Sequence, residues 1–392
     1  MRMLYIMWDS FSTNDAMEAF GRKGYVMDGY WLDRKRDVYD NPELERDIIK
    51  VLSEKEYDFV YSFNYFPVVS AACSICKVKY AAWVYDSPLA SLWHHSVVSP
   101  YNYIFIFDKR DYIELIQRGI HTVYYCPLAA NVDRIDSYIA DEEVEEIYTV
   151  PVSFVGSLYL ENRFRDYTAI SKLNRYNKGY VDGLMKAQGK IYGDFLIEKL
   201  LMPELVEELR EISHVVQRDN SFMGYEKFFG QVMLARGITS IEREEILRLL
   251  SEKYKVYLYT VKKTPFLPKT VNRGMAGSTK ESSFIFRYSK INLNITLRCI
   301  RSGIPLRAFE IMGSGGFLLT NYQEDFLEYF EPGVDFVYYE SQEDLMEKVE
   351  YYLKHEEERR QIAQNGYKKV KKYHTYTNRI ELMLDIMDTE KR

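Results

Sequence analysis

Short β-rich runs separated by stretches of helical periodicity, repeated from the first residues to about residue 126, constrain this chain more than any other feature. The runs are MLYIMW (3–8), YVMDGYWL (25–32), FVYSF (59–63), AAWVY (81–85), YIFIF (103–107) and TVYYC (122–126). Between them, helices are expected to end near Gly21 and to begin near Pro42 and Pro67. Strands that alternate with helices of this length call for βαβ units and a parallel sheet covered on both faces. The expectation is an α/β, doubly wound, Rossmann-like domain over residues 1–135.

A second domain is needed, because 392 residues exceed the usual size of one core and the 47% hydrophobic content can fill two. After Asn131 the chain turns acidic in DEEVEE (141–146), and Pro151 then opens an apolar strand, VSFV, that ends on Gly156. We expect a linker over 136–150 and a second domain over 151–375. A charged, helical insertion occupies about 165–250 of it. Strand signals then resume in KVYLYT (255–260), SFIFR (283–287), KINLNIT (290–296), GFLLT (316–320) and DFVYY (335–339). They predict a second doubly wound sheet. From Ser341 the spacing is helical, and Asn365-Gly366 reads as a stop, giving two helices and a C-terminal helix or tail over 376–392.

Composition excludes some classes of function. A net charge of -6 gives no general attraction to nucleic acid or to an anionic bilayer. The opening apolar run is broken by Asp9 and reads as a strand, not a signal peptide. No stretch approaches the roughly 18 to 20 apolar residues of a spanning helix, so a cytoplasmic protein is expected. Of the four cysteines, Cys73 and Cys76 form an isolated C-x-x-C without a second pair or a nearby His, and read as packing residues in a reducing compartment.

The segment from Ile291 to Thr320 carries the most chemistry. Its strand leads to a loop closing with Ser302-Gly303-Ile304, and Pro305 suits the first turn of a helix because its missing N–H is not needed there. The next amides, of Leu306 and Arg307, can hold an anion such as a diphosphate at the positive end of the helix. Arg307 adds a full charge. Glu310, one turn deeper, can accept two hydrogen bonds from a vicinal diol such as a ribose. Gly313, Gly315 and Gly316 let backbone approach closely before the next strand. The plainer alternative is a solvated Glu310 beside a surface Arg307, with the glycines forming a helix cap and a tight turn.

Residues 290–376 resemble the C-terminal domain of family-1-like GT-B glycosyltransferases, especially the CgeB-like spore-maturation group. The resemblance rests on N-x-x-I-T (292–296), S-G-I-P-x-R-x-F-E (302–310), G-G-F-L-L-T (315–320), P-G-x-D-F-V-Y-Y (332–339) and H-T-Y-x-x-R (374–379). The N-terminal half is similar through V-Y-D-S-P (84–88). Coverage is nearly full, with the insertion least matched. The resemblance implies two Rossmann-like domains facing a cleft, a nucleotide-sugar donor on the C-terminal one and an acceptor mainly on the other. Glu310 matches the second Glu of the family's Glu-x7-Glu motif, which holds the ribose. The first, which contacts the donor sugar, is replaced here by Ser302.

The segment Phe154-Val155-Gly156-Ser157 is similar to the family's F-V-G-S, in which the glycine lets the loop pass close to the diphosphate, and Arg163 is placed to supply compensating charge. Otherwise Gly156 is a strand-ending turn. Asp86 lies at the C-terminal end of a parallel strand, where ligands of open α/β sheets sit. It is a candidate general base, with His94 and His95 as alternative bases. A helix cap and two surface histidines are the plainer reading. No D-x-D triplet occurs, so no metal and no cofactor beyond the donor are expected. The leading function is transfer of a sugar from a UDP-linked donor to an unidentified glycan, protein or small molecule. Alternatives are a catalytically silent GT-B carbohydrate-binding or coat-assembly protein and a GT-B sugar-nucleotide epimerase. The insertion stands open between an acceptor platform, homo-oligomer contacts and plain packing.

Overall fold

The computed structural model describes residues 1–160 and 170–389. Two compact units form: the first comprises Met1–Leu128, Gln217–Met223 and the chain from Thr375 on, and the second Ala129–Val216 and Gly224–His374.

In the first unit, β1 (Arg2–Met7), β2 (Val26–Trp31), β3 (Phe59–Phe63), β4 (Lys79–Val84), β5 (Asn102–Ile106) and β6 (Val123–Tyr125) lie in the order β2-β1-β3-β4-β5-β6. Every pairing is parallel. The strands β3 and β5 are buried along their whole length, as central strands covered on both faces must be. Helices begin where the sequence supplies a cap: Asn41 accepts from the amides of Glu43 and Leu44 ahead of Pro42, and Asp108 accepts from those of Arg110 and Asp111. Cys73 is buried and Cys76 half-buried at the end of the helix Pro67–Cys76. The last helix, Tyr376–Thr389, returns to this unit. There Arg379 Nε donates to the carbonyls of Pro127 (3.0 Å) and Leu128 (3.2 Å), and the Tyr376 ring meets Trp83 edge-on.

The second unit contains β7 (Val152–Val155), β8 (Val256–Tyr259), β9 (Val271–Asn272), β10 (Ile291–Asn294), β11 (Leu318–Asn321) and β12 (Val337–Tyr339), ordered β12-β11-β10-β7-β8-β9 and all parallel. The direction of winding reverses between β7 and β10, which is the switch point of a Rossmann-type sheet. The core under this sheet unites Val152, Phe154, Leu258, Leu293, Leu319 and Tyr339. The helical insertion between β7 and β8 has a core of its own around Leu205, Leu209, Phe229 and Leu234, and that core takes in Leu297 and Cys299. The loop after β10 is therefore gripped by the insertion.

Several expectations meet a different outcome. The acidic run expected as a linker is the helix Glu142–Tyr148, capped by Asp141, and the chain has already entered the second unit at Ala129. The run 283–287, expected as a strand, belongs to the helix Thr279–Tyr288, because Ser278 and Glu281 form a reciprocal cap: Ser278 Oγ accepts from the Glu281 amide, and Glu281 accepts from Gly277. Asn365-Gly366 does not stop a helix. The helix Glu356–Tyr373 runs through it, and a side chain at Gly366 would collide with the Asp335 carbonyl. The glycines before β11 serve packing and the turn. A Cβ at Gly313 would press on Ala130, Gly315 has a positive φ of 78°, and a Cβ at Gly316 would overlap the Phe286 carbonyl and the Asn292 amide. Among the described residues, no helix is long and apolar enough to cross a membrane.

Candidate active site

The switch point of the second sheet is framed by the ends of β7 and β10. After β7, the Gly156 amide donates to the Tyr259 carbonyl, and Ser157 Oγ accepts from the Tyr159 amide at 2.8 Å. Gly156 is not among the glycines of positive φ, and an added Cβ there would press on the buried Phe154 ring at 3.2 Å. Arg163 lies outside the described residues.

After β10 the loop is fastened from below. Gln323 Nε2 donates to the carbonyls of Ile300 (3.0 Å) and Gly303 (3.2 Å), and the Asp325 amide donates to that of Ser302 (3.0 Å). Ser302 is 0% exposed and Ile304 is buried. The helix Leu306–Gly313 follows, with Pro305 as its cap residue and no side chain satisfying its first turn. Ala308 donates to the Pro305 carbonyl, and no protein acceptor among the described residues faces the Leu306 and Arg307 amides. Uncapped amides at a half-exposed helix start can receive an anion. One turn deeper, Glu310 accepts from Arg307 Nη1 at 2.7 Å, both side chains being about a third exposed (28% and 33%). The two residues expected to act separately are thus paired, and Arg307 orients the Glu310 carboxylate.

The first sheet reverses between β1 and β3, and the ends of its strands gather a second set of polar groups. Asn64, directly after β3, is buried with φ of 59°, a left-handed conformation that Asn tolerates better than most residues. Its Nδ2 donates to Asp86 Oδ2 at 2.7 Å, and its Oδ1 accepts from the Tyr85 and Asp86 amides at 3.2 Å. Asp86 is exposed, yet it is held on both its backbone and its carboxylate. The neighbouring histidines differ. His94 is buried: Nδ1 accepts from the Ser96 amide, so the proton sits on Nε2, facing Asp40 at 3.3 Å. Burial holds this imidazole below its ordinary range against the pull of Asp40. His95 is exposed, with its ring against Phe222.

The segment Gln217–Met223 explains why His94 is covered. Phe222 donates to the Trp93 carbonyl (2.8 Å), and His95 donates to that of Asn220 (2.9 Å). Arg218 pairs with Asp37 (2.8 Å) and Asn220 Nδ2 donates to Asp40 (3.0 Å). A short antiparallel strap from the insertion thereby docks on the loop that begins at Asp86 and uses His94 as part of its seat. Sequence reasoning missed the strap and Asn64. The only signal for Asn64 was a polar residue at the mouth of a buried strand.

Residues 243–385 match the family described as Glycosyl transferase-like. The stretch takes in β10, the Ser302–Glu310 segment and the chain's return to the first unit. Among solved structures, Anabaena HepE, crystallised with UDP and glucose, superimposes over 100% of both chains with a TM-score of 0.56 at 8% identity. A glycosyltransferase of Rickettsia africae covers 99% of both chains with a TM-score of 0.55 at 12% identity. Sucrose-phosphate synthase from Thermosynechococcus elongatus matches over 99% of this chain and 98% of its own, with a TM-score of 0.55 at 8% identity. The fold is GT-B. No protein of curated function matches the chain. Among the described residues, no group of three or more His, Cys, Asp or Glu side chains is arranged to hold a metal ion.

Proposed function

We propose that this protein transfers a glycosyl unit from a UDP-linked sugar to a hydroxyl or other nucleophile of a glycan, protein or small molecule, without a metal ion. The observation that carries the reading is the uncapped start of the helix Leu306–Gly313 beside a switch point, with Glu310 one turn deeper. The diphosphate rests on the amides of Leu306 and Arg307 and near the Gly156-Ser157 loop, and the ribose diol on Glu310. The helix dipole and fixed N–H groups take up the negative charge that grows as the sugar–diphosphate bond breaks, the task a metal performs in other transferases. As the acceptor oxygen bonds to the anomeric carbon, its proton passes to Asp86, whose orientation Asn64 fixes. Ser302 is too deeply buried to touch a sugar, so donor choice rests on other groups of the loop. The quoted motifs and the chain's composition support membership of the CgeB-like group and a cytoplasmic site of action.

A panel of nucleotide sugars, each incubated with the protein and assayed for free UDP, tests this. At least one UDP-sugar should release UDP, at a rate that excess chelator leaves unchanged. Strict dependence on Mg or Mn contradicts the metal-free chemistry. Silence with every donor and candidate acceptor favours a binding protein on a GT-B frame, and conversion of the donor sugar without acceptor favours an epimerase.

A further inference from the structure

In the sequence, Arg243 is one charge in Glu242-Arg243-Glu244-Glu245, a run that reads as a solvated helix face. The structure buries it. Arg243 is 8% exposed, on the helix Ala235–Lys253 that closes the insertion and leads into β8. Its guanidinium spans the switch point. Nη1 donates to the Ser157 carbonyl, just past β7, while Nη2 and Nε donate to the Ile295 carbonyl, just past β10, the Nε bond measuring 3.2 Å. The Phe154 and Tyr159 rings flank the group at 5.3 and 4.8 Å. Tyr159 itself has φ of 56°, a conformation that bulky side chains rarely adopt and that persists only where the surroundings impose it.

Charge adds a second, independent observation. Long cations are almost never fully buried without an anionic partner. Among the described residues no carboxylate forms an ion pair with Arg243, because the adjacent Glu242 is occupied by Arg298 at 2.7 Å. The buried group of Glu242, Arg243 and Arg298 therefore carries at least one positive charge in excess. That excess lies where the two loops of the donor site meet.

We propose that Arg243 is a positioning residue of the donor site: by spanning the Ser157 and Ile295 carbonyls it sets the spacing of the loops that receive the diphosphate, and its uncompensated charge favours that anion. This rests on the donor-binding reading above. The planar fork is essential to it, since an ammonium group is compact and does not bridge two carbonyls in fixed geometry.

The test compares UDP and uridine binding by calorimetry in the wild-type protein, Arg243→Gln and Arg243→Lys, with thermal unfolding of each recorded alongside. Both variants should lose about tenfold or more in UDP affinity, the scale of one charge-assisted hydrogen bond, and the preference for UDP over uridine should shrink by the same factor. An unchanged preference in both variants overturns the proposal, as does equal loss of both ligands in step with a lower unfolding midpoint, which marks a purely structural staple. Recovery of the wild-type preference by Arg243→Lys shows that charge alone suffices and overturns the positioning role. If Arg243→Gln does not fold, Arg243→Lys decides. A wild-type protein that binds no nucleotide refutes the donor-site reading itself, separately from these comparisons.

Discussion

Asp86→Asn is expected to lower turnover about 100- to 10,000-fold, the usual contribution of a general base, while leaving UDP affinity unchanged. The replacement is nearly isosteric, and its carbonyl oxygen can still accept the 2.7 Å bond from Asn64. What it loses is the capacity to take a proton. Steady-state kinetics at saturating donor, with direct UDP titration beside them, separate the two effects. A companion change sharpens the assignment. Asn64→Asp places a like charge against Asp86, which raises the pKa of its carboxyl and moves the acid limb of the pH–rate profile to higher pH. A fall of less than about tenfold in Asp86→Asn, below the range for a general base, removes Asp86 as the base and leaves the exposed imidazole of His95 as the remaining open candidate.

The second large effect concerns packing under the donor loop. Arg298→Met should destabilise the second unit by about 3–5 kcal/mol, the cost of leaving one partner of a buried ion pair alone. Arg298 and Glu242 are 7% and 2% exposed, and they meet through paired bonds of 2.7 Å. Arg298 also donates to the carbonyls of Ile191 (3.0 Å) and Gly189 (2.8 Å), and Tyr192 donates to Glu242 at 3.1 Å. The side chain thus ties the insertion to the loop after β10, where Leu297 and Cys299 enter the insertion core. Denaturant unfolding measures the loss. The double replacement Glu242→Met/Arg298→Met should recover part of it, because no buried carboxylate is then left without its partner and the charge of Arg243 stays as it was. A single variant as stable as the wild type contradicts the role assigned to the pair.

The alternation of buried strands and capped helices made the first sheet legible almost element by element, from Met3 to Cys126. Local rules sufficed there, since Pro42, Pro67 and the apolar runs act over a few residues. The Ser302–Glu310 segment was legible for a similar reason: a strand, a tight loop and Pro305 in sequence announce a helix start. Most of what escaped depended on partners distant in sequence. Gly366 reads as a stop until the Asp335 carbonyl is known to press against it. The run at 283–287 reads as a strand by its apolar residues alone, whereas the cap of Ser278 and Glu281 commits it to a helix. The strap at Gln217–Met223 is seated by Asp37, Asp40 and Trp93, about which a charged insertion says nothing. His94 and His95 look equivalent in sequence, and only the strap distinguishes them. Arg243 belongs to the same class, since its environment is made by two strand ends far apart in the chain.

The nucleotide site proposed at the start of the helix Leu306–Gly313 is tested most directly by calorimetric titration of UDP into the wild-type protein and Glu310→Ala. Glu310 is only partly buried and its ion pair with Arg307 is surface-like, so the fold should survive the substitution. We expect UDP to bind the wild-type protein and its affinity to fall about 10- to 100-fold in Glu310→Ala, matching the loss of the hydrogen bonds that the ribose hydroxyls donate to a charged carboxylate. Equal UDP affinity in a folded Glu310→Ala variant, or no UDP binding by the wild-type protein, would contradict it.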